Sequence, residues 1–272
     1  MNLHDIISAI ILIGAVGLIS SVILFFVSKA FHVEEDTRVE MVTERLPGAY
    51  CGGCGFPGCK GLAEAIVKAG SMENLTCPVA DNDTTTDIAE ILGISAIRAV
   101  SKIAVLKCNG AINYAPVKAF YDSAINCAIA ASIFSGENAC PYGCLGCGDC
   151  VNSCRFEAIT INPQTKLPEI DEEKCVGCSA CTKVCPRNLL EIRDKGHNKG
   201  RIYVACSNKE KGVIARRNCA VACIGCGKCV KICKSKAIII ENNLAYINQE
   251  KCTLCGKCVP ECPTKIIKYE NI

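Results

Sequence analysis

The sequence contains no tryptophan, only 5% aromatic residues and three histidines in 272 residues. A chain so poor in large side chains has little material for a conventional hydrophobic core and needs another source of folding free energy. It has no G-x-G-x-x-G after a predicted strand and no Walker-type lysine loop, which argues against nucleotide binding. No histidine stands beside an obvious nucleophile, so we do not expect acid–base catalysis by this chain.

Cysteine is the residue present in excess, with 25 in the chain. Most stand in runs with two residues between neighbours, which is too close for the disulfide framework of a secreted protein and suits metal binding. Metal–ligand bonds supply folding free energy to small domains. The composition therefore predicts several small metal-bound modules rather than one or two conventional domains.

Sixteen of the cysteines form two copies of one pattern, each with two C-x2-C-x2-C-x3-C runs, the second run being followed by Pro186 or Pro263. This is the ligand pattern of a bacterial ferredoxin with two [4Fe-4S] clusters, in which the fourth cysteine of each run ligates the other cluster. The ligand sets expected in the first copy are Cys144, Cys147, Cys150 and Cys185, and Cys154, Cys175, Cys178 and Cys181. Those expected in the second copy are Cys223, Cys226, Cys229 and Cys262, and Cys233, Cys252, Cys255 and Cys258.

A fifth cysteine set lies nearer the N-terminus, in Cys51-Gly-Gly-Cys54-Gly-Phe-Pro-Gly-Cys59 and the later Cys77. The glycines permit tight turns around four thiolates, so we expect a fifth [4Fe-4S] cluster here. A zinc ion held by four cysteines is the alternative.

The duplication extends beyond the ferredoxin pattern. A predicted strand runs into Cys108 and another into Cys206, while Cys140 and Cys219 each lie four residues before a ferredoxin run. We therefore expect these four cysteines to hold a sixth [4Fe-4S] cluster at the junction of the two copies, with Cys127 left as a core thiol. The main variant has Cys127 replacing one of the four.

An uncharged, mostly apolar run from Ile6 to Val27 is long enough to cross a bilayer. The alternative is a cleaved signal peptide, but the sequence lacks the positive n-region and the small-residue cleavage site that such a peptide needs. Lys29 after the run and Asp5 before it favour a single-pass anchor in the cell (inner) membrane with the cysteine modules on the cytoplasmic side. A reducing compartment also suits the clusters.

These features predict an α+β protein with a transmembrane helix, a small [4Fe-4S] domain and two ferredoxin-like modules. Three local predictions accompany it: Asp81 to Asp87 form a loop, the helix that follows stops at Gly93, and a helix opened by Pro116 closes near Gly136. The expected divisions are 1–28 (anchor), 29–45 (charged linker or solvated helix), 46–95 (N-terminal cluster domain), 96–140 (strand–helix segment), 141–192 (first module), 193–222 (strand–helix segment) and 223–272 (second module).

Positive charge is concentrated at the C-terminal end. The segment 206–272 carries a net charge of +7, whereas the whole chain carries +3. Such a face would attract an acidic redox protein such as a soluble ferredoxin. Nucleic acid is not an expected partner, because the lysines are not interleaved with aromatic residues. Arg155 and Lys234, each following the last cysteine of a first run, either favour the reduced state of a cluster or are ordinary surface residues.

The apolar N-terminal run, the Cys51–Cys59 motif with Cys77, and the two ferredoxin repeats together resemble the B subunit of the Rnf complex in its long, polyferredoxin form. The resemblance implies a membrane-bound ferredoxin:NAD+ oxidoreductase that couples electron transfer to Na+ or H+ translocation. By that resemblance this chain takes electrons from reduced ferredoxin and passes them to membrane subunits. Flavin and NADH chemistry belongs to other subunits, so the chain is an enzyme only as part of the complex.

Two other functions share some of these features. The first is a polyferredoxin subunit of a membrane hydrogenase or formate-oxidising complex, which would lack the N-terminal motif beside the anchor. The second is a cysteine-rich zinc-binding interaction module at the membrane.

Overall fold

The computed structural model describes residues 3–30, 36–96, 100–121, 126–195 and 200–271, and the structural statements below concern those residues. The fold is mixed, with helices and short antiparallel strands, as predicted. The helices are α1 Leu3–Ala30, α2 Thr37–Arg45, α3 Cys59–Ala69, α4 Asn82–Leu92, α5 Cys127–Ser132, α6 Asp149–Asn152, α7 Ala180–Val184, α8 Gly212–Asn218, α9 Lys228–Ile232 and α10 Cys258–Glu261. The strands are β1 Lys102–Leu106, β2 Ile159–Ile161, β3 Pro168–Ile170, β4 Leu190–Asp194, β5 Gly200–Val204, β6 Ile238–Glu241, β7 Leu244–Ile247 and β8 Ile267–Asn271.

Helix α1 contains the apolar N-terminal run. Its stretch Ile11–Lys29 has a mean hydropathy of 2.6 and, within the described part of the chain, is the segment long and apolar enough to cross a membrane. None of this stretch is buried against the rest of the protein. Apolar side chains that face outward on all sides of a helix need an apolar environment such as a lipid bilayer. The helix is therefore consistent with the expected membrane anchor.

Helices α2, α3 and α4 pack together around a small core of their own. Val42, Leu62, Ile66 and Ile88 are fully buried in it. The charged segment before the cysteine motif, expected to be a solvated helix or a linker, is therefore a helix with one buried face. The core holds the first cysteine domain together independently of the ferredoxin modules.

The predicted loop at Asp81 to Asp87 is wrong, because α4 already begins at Asn82. The Asp81 carboxylate accepts a hydrogen bond from the Thr84 N–H at 2.8 Å, which caps the helix and satisfies an otherwise unpaired donor. The predicted stop is confirmed: Gly93 adopts a left-handed conformation with φ 64° and ends the helix.

The strand that precedes each ferredoxin module pairs with the strand that closes the same module. Strand β1 pairs antiparallel with β4, and β5 pairs antiparallel with β8. Each module also contains a hairpin, β2–β3 or β6–β7. The two strands predicted to run into Cys108 and Cys206 are thus present, and each structural repeat is longer than a ferredoxin module.

The helix predicted from Pro116 to Gly136 is wrong over its first half. Val117 forms an antiparallel bridge with Asn138, so the chain is extended there, and residues 122–125 lie outside the described ranges. Helix α5 begins only at Cys127. The tertiary pairing with the segment before Cys140 satisfies the backbone groups and overrides the local helix signal.

Two buried arginines join the two repeats, which also share one continuous core. Arg193 of β4 donates to the carbonyl oxygens of Ile202 and Ile247 in the second repeat, both at 3.1 Å. Arg201 of β5 pairs in return with Glu172 of the first repeat. The second repeat is therefore held to the first by polar contacts as well as by apolar packing.

Candidate iron-sulfur cluster sites

The second ferredoxin module encloses a cavity lined by four cysteines from both of its runs. These are Cys223, Cys226, Cys229 and Cys262. Gly227, which precedes α9, has φ 76° and allows the tight turn that brings the first run around the cavity. The rest of the lining is mainly apolar, with Val204, Ile240 and Ile266. Four thiols around a mainly apolar space fit the donor set of a [4Fe-4S] cluster.

The other cysteine set of this module is adjacent. Its expected members are Cys233, Cys252, Cys255 and Cys258. The Cys258 thiol, at the start of α10, interacts electrostatically with Cys252 and Cys255 and also with Cys229 of the neighbouring set. Cys226 and Cys255 are the two exposed cysteines of the chain, so each set has one thiol at the surface.

The first module has a corresponding cavity with a different lining. Cys144, Cys150 and Cys185 line it together with Cys127. Cys147 lies instead at a neighbouring open cleft, with its thiol close enough to that of Cys127 for the two to interact electrostatically. The structure thus places Cys127 in the first module and not among the junction cysteines. No spacing rule in the sequence pointed to this position, since Cys127 belongs to no run.

The second cysteine set of the first module also gathers in one place. The Cys181 thiol interacts electrostatically with Cys175, Cys178 and Cys154, which complete the expected set. It interacts with Cys150 of the neighbouring set as well. The two sets of this module are therefore adjacent, as in the second module.

The N-terminal cysteines surround the loop that leads into α3. The Cys77 thiol interacts with those of Cys51 and Cys54, and Cys59 is the first residue of α3. Cys54, Cys59 and Cys77 also pack against the core of helices α2 to α4. The helical core therefore determines where three of the four thiols lie.

This loop docks directly on the second cysteine set of the first module. A Cβ placed on Gly53 would lie 2.8 Å from the carbonyl oxygen of Cys178, so only glycine fits the contact as it stands. Arg155 donates to the carbonyl oxygen of Tyr50 at 3.2 Å. Lys183 donates at 3.4 Å to the carbonyl oxygen of the residue before Gly53. Arg155 is therefore a docking residue, a role that its position in the sequence did not reveal.

The junction between the two repeats contains a further cavity lined by four cysteines. These are Cys108, Cys140, Cys206 and Cys219, and all four are buried. Gly110 lies against two of the sulfurs, since a Cβ there would be 3.1 Å from Cys219 Sγ and 3.7 Å from Cys108 Sγ. The structure thus brings together four cysteines that are up to 111 positions apart in sequence.

Matching hydrogen bonds connect the junction cysteines to both modules. The N–H of Cys144 donates to Cys108 Sγ at 3.3 Å, and the N–H of Cys223 donates to Cys206 Sγ at 3.3 Å. The donor in each case is the first cysteine of a ferredoxin run. Asn208, which is buried, adds a bond from its amide to Cys140 Sγ at 3.4 Å. Such bonds favour a thiolate or a cluster sulfur over a neutral thiol.

Burial makes the free thiols poor acids. It raises the pKa of Cys206 to about 12 and that of Cys219 to about 11, and it also raises the pKa of Cys108. At neutral pH such thiols keep their protons unless a metal replaces them. The guanidinium of Arg187 lies near Cys140 and donates to its carbonyl oxygen at 3.4 Å. A positive charge there stabilises the negative charge that metal binding would bring.

No three or more cysteine, histidine or carboxylate side chains in the described ranges converge tightly enough to ligate a single metal ion. A zinc site would place four sulfurs about 2.3 Å from one point. The thiols of three of these sites instead surround cavities. Thiols spread around a cavity suit a polynuclear cluster, in which each thiolate binds a different iron.

The sites follow one another in a line. The N-terminal motif touches the set containing Cys178, and that set is adjacent to the one containing Cys150. The latter is joined to the junction through Cys144, and the junction to the second module through Cys223. Clusters at these sites could pass single electrons from one end of the protein to the other.

Three family models match the parts of the chain that carry these cysteines. One described as a 4Fe-4S dicluster domain matches residues 143–189 and 222–266, and a second with the same description matches residues 167–234. A third, described as an Fe-S cluster, matches residues 46–78. The chain therefore contains [4Fe-4S] dicluster domains.

Similar proteins cover most of the chain. It is 43% identical over 241 residues to the B subunit of the Na(+)-translocating ferredoxin:NAD(+) oxidoreductase complex of Acetobacterium woodii, covering 89% of this chain and 71% of that protein. It is 37% identical to the B subunit of the proton-translocating ferredoxin:NAD(+) oxidoreductase complex of Clostridium ljungdahlii, covering 92% and 87%. It is 35% identical to the B subunit of the ion-translocating oxidoreductase complex of Methanosarcina acetivorans, covering 91% and 92%.

Proposed function

Because this chain belongs to the B-subunit family of ion-translocating ferredoxin:NAD+ oxidoreductase (Rnf) complexes, we propose that it relays electrons from reduced ferredoxin through six [4Fe-4S] clusters to the membrane subunits. Its dicluster domains make it an iron–sulfur electron-transfer component of such a complex. The hydrogenase, formate-oxidising and zinc-module alternatives have no comparable support, because the relatives match along about nine-tenths of the chain.

The junction cavity is the observation that supports six clusters rather than five. Its four buried cysteines come from both repeats, and two of their sulfurs accept main-chain hydrogen bonds from the neighbouring ferredoxin runs. A cluster at this place would connect the two ferredoxin modules, which otherwise have no shared metal site. The other five ligand sets are those of the N-terminal motif and of the two modules.

Electrons enter, in this proposal, at the second ferredoxin module. Cys226 and Cys255 are exposed, so clusters bound by them would lie near the surface. Lys228, Lys231 and Lys234 are exposed around α9. An acidic ferredoxin would be attracted to this face and would meet a cluster there.

Electrons leave at the N-terminal cysteine domain. That domain follows α1 in the chain and contacts the first module through Gly53 and Arg155. We place the cluster domains on the cytoplasmic side of the membrane, where Lys29 follows the apolar helix. Flavin and NADH-binding subunits of the complex then complete the reaction. Relatives of this chain serve complexes named for sodium and for protons, so the translocated ion would be set by those other subunits.

The cluster count is tested on the anaerobically purified full-length chain. We expect about 24 irons per wild-type chain, and about 20 in Cys206→Ala, because one [4Fe-4S] cluster contains four irons. An iron content of about 20 per wild-type chain that stays the same in Cys206→Ala would contradict the sixth cluster. Co-purification with flavin-containing and NADH-binding subunits from native membranes tests the assembly, and a hydrogenase partner would contradict it.

A further inference from the structure

One cluster site in the first ferredoxin module has five cysteines around it, whereas the matching site in the second has four. In the second module the lining thiols include Cys226, the second cysteine of the run. In the first module the equivalent Cys147 is absent from the cavity wall and Cys127 takes its place. The pseudo-symmetry of the protein therefore fails at one ligand position.

The additional thiol lies on an insertion that only the first repeat has. There are 31 residues between Cys108 and Cys140 but 12 between Cys206 and Cys219. Helix α5 lies in this longer connection and begins at Cys127. The shorter connection of the second repeat contains no cysteine that could act in the same way.

One hydrogen bond to the cluster run itself and one helix cap fix the position of Cys127. Its N–H donates to Asp149 Oδ1 at 3.1 Å, and Asp149 lies between the second and third cysteines of the run. Asn126 caps the helix, its side chain accepting from the Ile129 N–H at 2.8 Å. These hydrogen bonds hold the first turn of α5 beside the cavity. The Cys127 thiol therefore lies there because of specific contacts and not by chance.

Cys147 lies at the rim. Its sulfur is 3.6 Å from the carbonyl oxygen of Leu145, and its thiol interacts electrostatically with that of Cys127. It lines an open cleft together with Phe120 and Glu137, both from the insertion. The two thiols therefore stand side by side, one facing the cavity and one facing the cleft.

We propose that Cys127 and Cys147 are alternative ligands of the same iron in this cluster. The proposal rests on the proposed [4Fe-4S] cluster with Cys144, Cys150 and Cys185, since a cluster of four irons takes one thiolate on each and five thiols exceed that number by one. In the exchange the iron–sulfur bond to Cys147 breaks and one to Cys127 forms. The proton of the Cys127 thiol passes to the Cys147 sulfur, and no electron is gained or lost.

The test compares four variants of the full-length chain, purified anaerobically in detergent: Cys127→Ala, Cys147→Ala, the double variant, and Cys226→Ala as the matched control in the second module. Iron and sulfide per chain are measured together with electron paramagnetic resonance (EPR) spectra of the oxidised and reduced protein. Each single variant of the pair should keep the wild-type iron content, because the other thiol completes the site. The double variant and Cys226→Ala should each lose about one to four irons, with or without a [3Fe-4S] signal.

The proposal would be overturned if Cys147→Ala lost as much iron as Cys226→Ala. It would also be overturned if, of the two single variants of the pair, only Cys127→Ala lost iron. A wild-type chain without [4Fe-4S] signals would instead refute the proposed function, which is a separate failure. A second measurement does not depend on how variants fold: alkylation of the native wild-type protein, followed by mass spectrometry. Partial labelling of both Cys127 and Cys147 supports the exchange, and labelling confined to one of them refutes it.

Discussion

Substituting Gly53 by alanine should separate the N-terminal cluster domain from the first ferredoxin module without removing a ligand. The new Cβ would lie 2.8 Å from the Cys178 carbonyl oxygen and 2.9 Å from Pro78 Cγ, where about 3.4 Å is ordinary contact. The two loops must therefore move apart by roughly 0.6 Å or more at the carbonyl. Overpacking of this kind costs about 1–3 kcal/mol. That cost lowers the ratio of docked to undocked domain by about 5–150-fold.

The expected result is a chain with wild-type iron content and impaired transfer at one step. Magnetic coupling between the reduced N-terminal cluster and its neighbour, measured by EPR, should weaken. Ferredoxin-dependent NAD+ reduction by the reconstituted complex should fall with it. Both effects follow because the docking contact sets the distance and orientation of the two cluster sites.

Gly61→Ala is the matched control in the same domain. A Cβ there would be 3.4 Å from Pro57 Cδ, which is an ordinary contact, and the residue lies inside α3. Alanine should stabilise the helix by about 0.5–1 kcal/mol relative to glycine. If Gly53→Ala keeps the coupling and the turnover rate of Gly61→Ala, the contact does not position the two clusters and the reasoning is refuted.

Three further perturbations test the junction and the docking face. Arg193→Met should lower the free energy of unfolding by about 1–3 kcal/mol for each of the two buried carbonyl groups that it leaves unpaired. Anaerobic chemical denaturation measures this change, and the exposed Arg216→Met should have little effect. Equal effects of the two variants would exclude a role for Arg193 in joining the two repeats. Asn208→Leu removes the amide donor to Cys140 Sγ. Because such hydrogen bonds favour the more negative reduced state, the midpoint potential of the proposed sixth cluster should fall in an EPR-monitored redox titration. An unchanged potential would contradict a role for the Asn208 hydrogen bond. Lys231→Glu with Lys234→Glu should flatten the salt dependence of ferredoxin oxidation, and an unchanged slope would place the docking face elsewhere.

Features that depend on residues near one another in sequence were predictable. The ferredoxin runs, the apolar helix and the stop at Gly93 follow from local spacing and local conformational preference. The start of α4 was also available from the sequence, because Asp81 stands three residues before Thr84 in a capping arrangement that was not recognised. The pattern of duplication pointed further, to the four cysteines that line the junction cavity.

Apart from the junction cysteines, the features that depend on contacts between distant segments could not be predicted. Gly53 and Cys178 are 125 positions apart, and no periodicity relates them. The extended segment at Val117 exists because Asn138 pairs with it, which a local helix signal at Pro116 cannot reveal. Cys127 reaches the first module through its hydrogen bond to Asp149, 22 positions later. In each case tertiary pairing decides the outcome.

Metal bound at the junction of the two repeats would be inseparable from folding. The buried core that the repeats share is built partly from cysteines, including Cys140, Cys206 and Cys219. Removing metal from there would leave a cavity lined by neutral thiols in the middle of that core, at the point where both repeats also exchange hydrogen bonds to sulfur. A cluster at this place would therefore have two effects through the same iron–sulfur bonds. It would connect the electron-transfer path, and it would hold the two repeats together. Damage to it should interrupt transfer and loosen the fold at once, whereas damage to the outermost cluster, with its exposed Cys255, should interrupt entry alone.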